Sequence, residues 1–216
     1  DLTYKLNKTI ELNAGVSGKL INFEADVFVP EFTSTFGDSI PTTDINADEN
    51  YNKLAAYTNF SFLFFDKLNL NLGIRADYFS PTSTKTFFSP RFSTSYRLTD
   101  ITSLTFSTGV YHQAPSYIWL VGDKVNLELK NIRVNQYVLG VDQYFSADAL
   151  FRVEGFLKDY FDYPTSLRRT YLILANTGAG FSGSDENFAS FGLDPLNLEG
   201  TGLAKGFEVS LQKKLS

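Results

Sequence analysis

The hydropathy of this chain repeats every two residues, in segment after segment of roughly ten residues. That is the signature of a strand with two unlike faces. Leu68, Leu70, Leu72, Ile74, Ala76 and Tyr78 share one parity; Asn69, Asn71, Gly73, Arg75 and Asp77 share the other. Phe88, Pro90, Phe92, Thr94, Tyr96 and Leu98 alternate with Ser89, Arg91, Ser93, Ser95 and Arg97. Leu104, Phe106, Thr108 and Val110 alternate with Thr105, Ser107, Gly109 and Tyr111. Ile10, Leu12, Ala14 and Val16 do the same near the start, and Leu203, Phe207, Val209 and Leu211 near the end, where Lys205 interrupts the apolar set. No amphipathic helix is predicted.

The connections fall into two classes that alternate. Short turns are expected at Asn7-Lys8-Thr9, Phe65-Asp66-Lys67, Thr99-Asp100-Ile101-Thr102 and Ser146-Ala147-Asp148. Long polar or glycine-rich loops are expected at 26–50, 80–87, 115–132 and 164–201. About nine strands in an antiparallel up-and-down meander result, an all-β fold. A soluble meander has no reason to put every long loop at one end, whereas an outer-membrane barrel has short periplasmic turns and longer extracellular loops. The segment lengths suit the ~9–11 residues of a tilted membrane strand. Aromatics bracket the aliphatic middle: Phe62, Phe64, Phe65, Tyr96, Tyr144 and Phe145 beside the short turns, and Tyr78, Phe79, Phe87, Phe88, Tyr117, Trp119, Tyr160, Phe161 and Tyr163 toward the long loops. Such paired girdles mark a membrane barrel. Periodicity alone leaves open a soluble sandwich whose apolar parity meets a second sheet.

Other classes are excluded more simply. The 216 residues suit one domain or part of a larger one. No apolar run approaches the ~20 residues of a membrane helix. A net charge of -5 argues against a nucleic-acid surface. With no Cys and one His, metal and thiol chemistry have almost nothing to work with, and no metal or cofactor is expected. No Gly-x-Ser-x-Gly elbow occurs, and His112 lacks a partner constellation, so an enzyme is not expected. His112 shares the parity of Val110 and reads as a lipid-side residue near the outer rim. Asp159 and Asp162 read as solvated rim charges. The chain opens on Asp1 with no signal-peptide pattern and ends in a strand-like pattern, as an interior piece of a larger protein would.

The polar parity carries the informative charges: Arg75, Asp77, Arg91, Asp142, Arg152, Glu154 and Lys158, all expected to line a lumen. Setting Leu98 opposite Leu104 places Arg91 opposite Tyr111. Setting Val141 opposite Val153 places Asp142 opposite Arg152 and Gly140 opposite Glu154. Such pairs contribute about 0.2–1 kcal/mol and read as register rather than catalysis. Ligand contacts are expected at the outer rim and loops, from Tyr111, Gln113, Tyr117, Trp119, Arg168, Arg169 and Tyr171.

Four stretches together resemble the barrel of TonB-dependent outer-membrane receptors. They are LNLNLGIRADYF (68–79), SPRFSTSYRLTDITSLTFSTGVYHQAPS (89–116), the hairpin from LKNIRVNQYVLGVDQYF to VEGFLKDYFDYP (129–164), and GTGLAKGFEVSLQKKLS (200–216). The resemblance implies that residues 1–216 are an interior, partial barrel domain of a larger receptor in the bacterial outer membrane. Nothing here resembles that family's plug domain. It further implies uptake of a scarce nutrient: siderophore-iron, a vitamin or an oligosaccharide. Implied partners are outer-membrane lipid, the plug and remaining strands, a TonB-type energy-coupling protein acting through the plug, and a small-molecule or chelate substrate; nucleic acid is not among them. The alternatives are a passive porin-like barrel or a soluble β-rich carbohydrate-binding module.

Overall fold

The computed structural model describes residues 1–34, 37–146, 148–169 and 193–213. Eleven strands form: β1 (Leu2–Lys5), β2 (Ile10–Val29), β3 (Phe32–Thr33), β4 (Ser39–Ile40), β5 (Thr43–Phe64), β6 (Leu68–Phe79), β7 (Thr86–Arg97), β8 (Thr102–Gln113), β9 (Ile132–Ser146), β10 (Ala149–Ser166) and β11 (Leu196–Lys213). Nine of them make one antiparallel sheet in the order β1-β2-β5-β6-β7-β8-β9-β10-β11, while β3 and β4 pair separately at the tip of the β2–β5 hairpin. Between β8 and β9 lie a six-residue helix α1 (Tyr117–Gly122) and a 3-10 turn (Lys124–Glu128). The alternation rule gave no warning of this helix, because six residues are too few to show a 3.6-residue period.

The ladder registers sort the side chains onto two faces. One cross-strand row runs Ile10–Phe62–Leu70–Thr94–Phe106–Leu139. The next position along the same strands reads Glu11–Ser61–Asn71–Ser93–Ser107–Val138, mostly small and polar. The apolar row is uncovered: Leu72 is 49% exposed, Leu139 56% and Phe207 79%. No second sheet of the described residues packs on it. A contiguous uncovered apolar face of this size fits a lipid boundary. No helix of the described residues is long and apolar enough to cross a membrane. Lys205, opposite Leu157, is a cation amid the apolar residues of this outer face.

The short turns gather at one end. Lys67 N–H donates to the Phe64 carbonyl at 3.0 Å, around Phe65 and Asp66 with φ 50° and 53°. Two successive positive φ values match the twist of the flanking strands. Leu98 N–H donates to the Thr102 carbonyl at 2.9 Å, which sets Leu98 opposite Thr102 and Tyr96 opposite Leu104. The expected Leu98–Leu104 register is therefore two residues out, and Arg91 faces Gly109 rather than Tyr111. A two-residue slip preserves the facing. The Val141–Val153, Asp142–Arg152 and Gly140–Glu154 pairings form as expected.

The region 26–50 departs most from the sequence reading. It is not a loop: β2 continues to Val29 and β5 starts at Thr43, leaving only 30–42 as connection. Along this hairpin the facing inverts. Below, the outer face is apolar (Val16, Leu20, Leu54, Phe60) and the inner face polar (Ser17, Lys19, Lys53, Asn59). Above the Asn22–Asn50 pair, the outer face becomes Glu24, Asp26, Asn46 and Asp48, while Val27, Val29, Ile45 and Ala47 turn inward. Val29 and Ile45 cluster with Leu193, and Ile118 and Val121 of α1 pack against them. A second cluster, Phe79, Leu120, Leu129 and Leu196, sits beside it. The buried core thus lies at the long-loop end, where water replaces lipid outside the wall and loops cover its inner side. The last loop is likewise shorter than expected, since β10 runs to Ser166 and β11 begins at Leu196.

Candidate functional site

The inner wall is built by the polar parity of the long antiparallel strands, so its charges are spaced by the ladder. Arg75 and Asp77, two apart on β6, share that face. Arg75 Nε lies 3.0 and 2.8 Å from the two Asp77 oxygens, and Nη2 lies 2.7 Å from Oδ1. Arg152 and Asp142 meet across β9–β10 in a bidentate pair, at 2.6 Å (Nε–Oδ1) and 2.7 Å (Nη2–Oδ2). Asp142 is buried, and Glu154 stands 3.9 Å from Arg152 Nε. Two parallel charge-assisted bonds fix orientation as well as adding energy. Lys158 Nζ sits 5.2 Å from the Phe156 ring centre. Arg91 lies 4.5 Å over the Tyr111 ring, and no carboxylate of the described residues is within 4.0 Å of it. The wall therefore holds two satisfied ion pairs and two cations, Arg91 and Lys158, set over rings.

At the rim, Tyr117 of α1 is a packing anchor. Its ring stacks on Tyr51 (5.6 Å between centres, 19°) and tilts against Phe23 (5.6 Å) and Phe79 (6.1 Å). Lys53 Nζ lies 4.6 Å from Phe79 and 4.8 Å from Tyr117, closing the stack from the polar side. Trp119 packs against the Phe79–Leu120–Leu129–Leu196 cluster. Gln113 stays exposed at the end of β8 and Tyr111 is half-buried. Arg168 is exposed beside a cleft between β5 and α1. Tyr171 lies outside the described residues.

Arg169 corrects its expectation. It is 1% exposed, with Nε 2.8 Å and Nη2 2.7 Å from Asp194 Oδ2. Ser166 Oγ donates to the same oxygen at 2.6 Å and accepts from Arg169 N–H at 2.9 Å. The guanidinium is a strut closing the base of the last loop, where Leu167 N–H also donates to the Pro195 carbonyl. Residues that alternation could not reveal complete this lock. Asn126, 0% exposed, donates to the carbonyls of Trp119 (2.6 Å) and Asp194 (3.0 Å) and accepts from Leu196 N–H (2.8 Å). One buried amide thus ties α1 to the start of β11. An asparagine within KVNLELKN offers no spacing signal for this.

His112 also moves from its expected place. Its Nδ1 is 3.0 Å from Ser89 Oγ and its ring 5.4 Å from Phe87, both on the inner parity of β7. The β7–β8 ladder ends at Arg91–Gly109, so pairing with β7 no longer enforces alternation at His112. Asp162, expected as a solvated rim charge, has φ 58° within the register shift between Tyr160 and Tyr163, and its Oδ2 is 3.8 Å from Arg133 Nε. Among the described residues no group of three or more His, Cys, Asp or Glu is placed to hold a metal ion. What the wall can do is hold charge and orient it.

The comparisons agree with this geometry. The family described as TonB dependent receptor-like, beta-barrel, matches residues 1–215. No curated protein matches the chain. Among solved structures, it is similar to the siderophore receptor PirA from Acinetobacter baumannii, at 15% identity and TM-score 0.65, over 97% of this chain and 32% of that one. The ferric enterobactin receptor PfeA from Pseudomonas aeruginosa shares 14% identity at TM-score 0.63, over 96% and 31%. The FrpB iron transporter from Neisseria meningitidis shares 13% at TM-score 0.62, over 99% and 32%. The chain therefore spans about a third of the length of these structures. Barrels of this kind are bacterial outer-membrane proteins, receptors and transporters rather than enzymes. With one matching family over nearly every residue, and a lipid-facing meander whose short turns and long loops segregate to opposite ends, the chain belongs to the TonB-dependent receptor β-barrel family.

Proposed function

We propose that this chain is wall, lumen lining and part of the outer loops of a transporter that takes up a metal chelate, of the siderophore-iron type, across the outer membrane. The observation that carries the substrate class is Arg91. It stands exposed on the inner wall over Tyr111 without a carboxylate partner among the described residues, so it offers an unneutralised positive face to an anionic chelate. Receptors of iron chelates among the similar structures support the same class. A plug domain and further strands of the same receptor, 1–216 being one partial barrel domain, would complete the lumen. A TonB-type protein would act through that plug. Tyr111, Gln113 and Arg168 are the rim residues placed to touch cargo; Tyr117 and Trp119 hold the loop that frames it.

Uptake of labelled ferric chelates by cells carrying the full-length receptor tests this. Uptake should be saturable, should require the cell's energy-coupling protein, and should fall about tenfold in Arg91→Gln, one charge-assisted contact's worth. Saturable uptake of a neutral oligosaccharide, with no ferric chelate bound, would overturn the chelate reading.

A further inference from the structure

The two sides of β5 are not equally paired. Toward β2 the ladder is continuous from Phe62 to Thr43. Toward β6 it stops at Lys53–Phe79, because β6 is only 12 residues long. Ser80 marks the stop: its N–H donates to the Asn52 carbonyl at 3.0 Å, and its Oγ accepts from Asn52 N–H at 2.8 Å. Both main-chain groups of Asn52 therefore point to the β6 side. Because these groups alternate sides along an antiparallel strand, those of Asp44, Asn46, Asp48 and Asn50 point the same way. None of them meets a hydrogen-bonding partner among the described residues. The result, among the described residues, is an open strand edge of eight unpaired donors and acceptors, on the extracellular side of the facing inversion.

This edge forms one wall of a cleft of about 1220 Å³, faced by Ser80, Pro81, Leu120, Lys124, Leu127 and Arg168. That volume exceeds the ~300–1,000 Å³ of ordinary small-molecule pockets. The carboxylates of Asp44, Asp48, Glu49 and Asp123 border it against the two cations Lys124 and Arg168. We propose that the cleft captures an extended, cationic polypeptide segment, which adds as a strand to the open edge of β5. Main-chain bonds to an exposed edge supply affinity, and the acidic border selects the side chains. This goes beyond chelate uptake: it gives the outer face a peptide-docking surface separate from the lumen. The strands missing from the sheet would join beyond β1 and β11, so closing the barrel does not cover this edge.

Hydrogen exchange on the full-length receptor in detergent tests the proposal. In the free receptor the amides of Asp44, Asn46, Asp48 and Asn50 should exchange fast, and those of Ile45, Ala47, Glu49 and Tyr51, bonded to β2, slowly. A synthetic ten-residue peptide alternating lysine and valine should slow the first set. The same peptide N-methylated at every second residue should not. Asn46→Pro, which removes a donor only on the open side, should weaken binding by about tenfold. A glutamate–valine peptide should bind at least about tenfold more weakly. Protection of the first set in the free receptor, or equal binding of the N-methylated peptide, overturns strand addition. Equal binding of the acidic peptide overturns the cationic assignment. If Asn46→Pro does not assemble, the comparison of the two lysine peptides on the unaltered receptor decides. No readout involves transport, so failure here leaves the uptake reading untouched.

Discussion

Arg91 and Tyr111 meet diagonally across the β7–β8 ladder, guanidinium 4.5 Å over the ring, because the residue directly opposite Arg91 is Gly109. A Cβ at Gly109 would come within 3.1 Å of Arg91 Cγ and of the Pro90 carbonyl, and 3.3 Å from Tyr111 Cε2. The glycine is there for the space, not for its backbone freedom. Gly109→Val should therefore cost about 1–3 kcal/mol through overpacking. Heat-dependent mobility of the full-length barrel on detergent gels measures it; an unchanged transition would mean that the stack reorganises freely.

Leu72 lies on the uncovered outer face, opposite Phe60 and Phe92. An arginine at a bilayer midplane costs roughly 2–4 kcal/mol, falling to about 0–1 near the interfaces. Leu72→Arg should reduce outer-membrane assembly sharply, and Asn71→Arg, one residue away on the inner face, should not. Equal assembly of the two variants would contradict the facing.

Orientation follows from where the loops lie. Single cysteines introduced at Lys124 or Asp44 should react with an impermeant maleimide on intact cells. Cysteines at Asp66 or Asp100, in the short turns, should react only after the outer membrane is permeabilised. The reverse pattern would invert the barrel in the membrane.

Arg169 and Asp194 are both almost fully buried, so removing one charge strands the other, a loss of about 3–5 kcal/mol. That loss falls on the loop base rather than on the ladders. Arg169→Ala should make 167–195 sensitive to external protease while the barrel stays folded. Replacing Asp194 by Ala as well should restore part of the protection, since the orphaned carboxylate goes with it. No recovery in the double variant would mean that the pair contributes attraction rather than avoided desolvation.

Facing was legible in the sequence wherever two unlike media touch the two sides of a strand. Leu72 beside Asn71, and Val141 beside Asp142, are sorted by lipid and lumen, and alternation reports that directly. It became illegible where the media change. From Asn22 to Val29 and from Thr43 to Asn52 the outer side meets water and the inner side meets α1, so the apolar set swaps parity, and Asp- and Asn-rich composition imitates a loop. The strands persist there because each is the other's partner and Val29 and Ile45 are buried by packing, not because Asp44 or Asn46 favour extended backbone. The site split along the same line. Arg152 and Asp142 could be paired from the hairpin alone. Asn126 could not be found, because its partners come from 70 residues away, at Leu196, and from the carbonyls of α1 and Asp194.

All 20 residues of β2 pair with β5 in one unbroken register. At about 3.3 Å per residue the ribbon is roughly 65 Å long. It carries no bulge at which to bend, so it behaves as a stiff mast: tilt at the turn end reaches the tip undiminished, and α1, leaning on Val29 and Ile45, rides with it. β10 is built differently, with its register to β11 slipping on both sides of Tyr163. Compliance along this part of the rim is therefore lopsided. Within this stretch of wall, give belongs to the β10–β11 flank, while the β2–β5 flank keeps its shape.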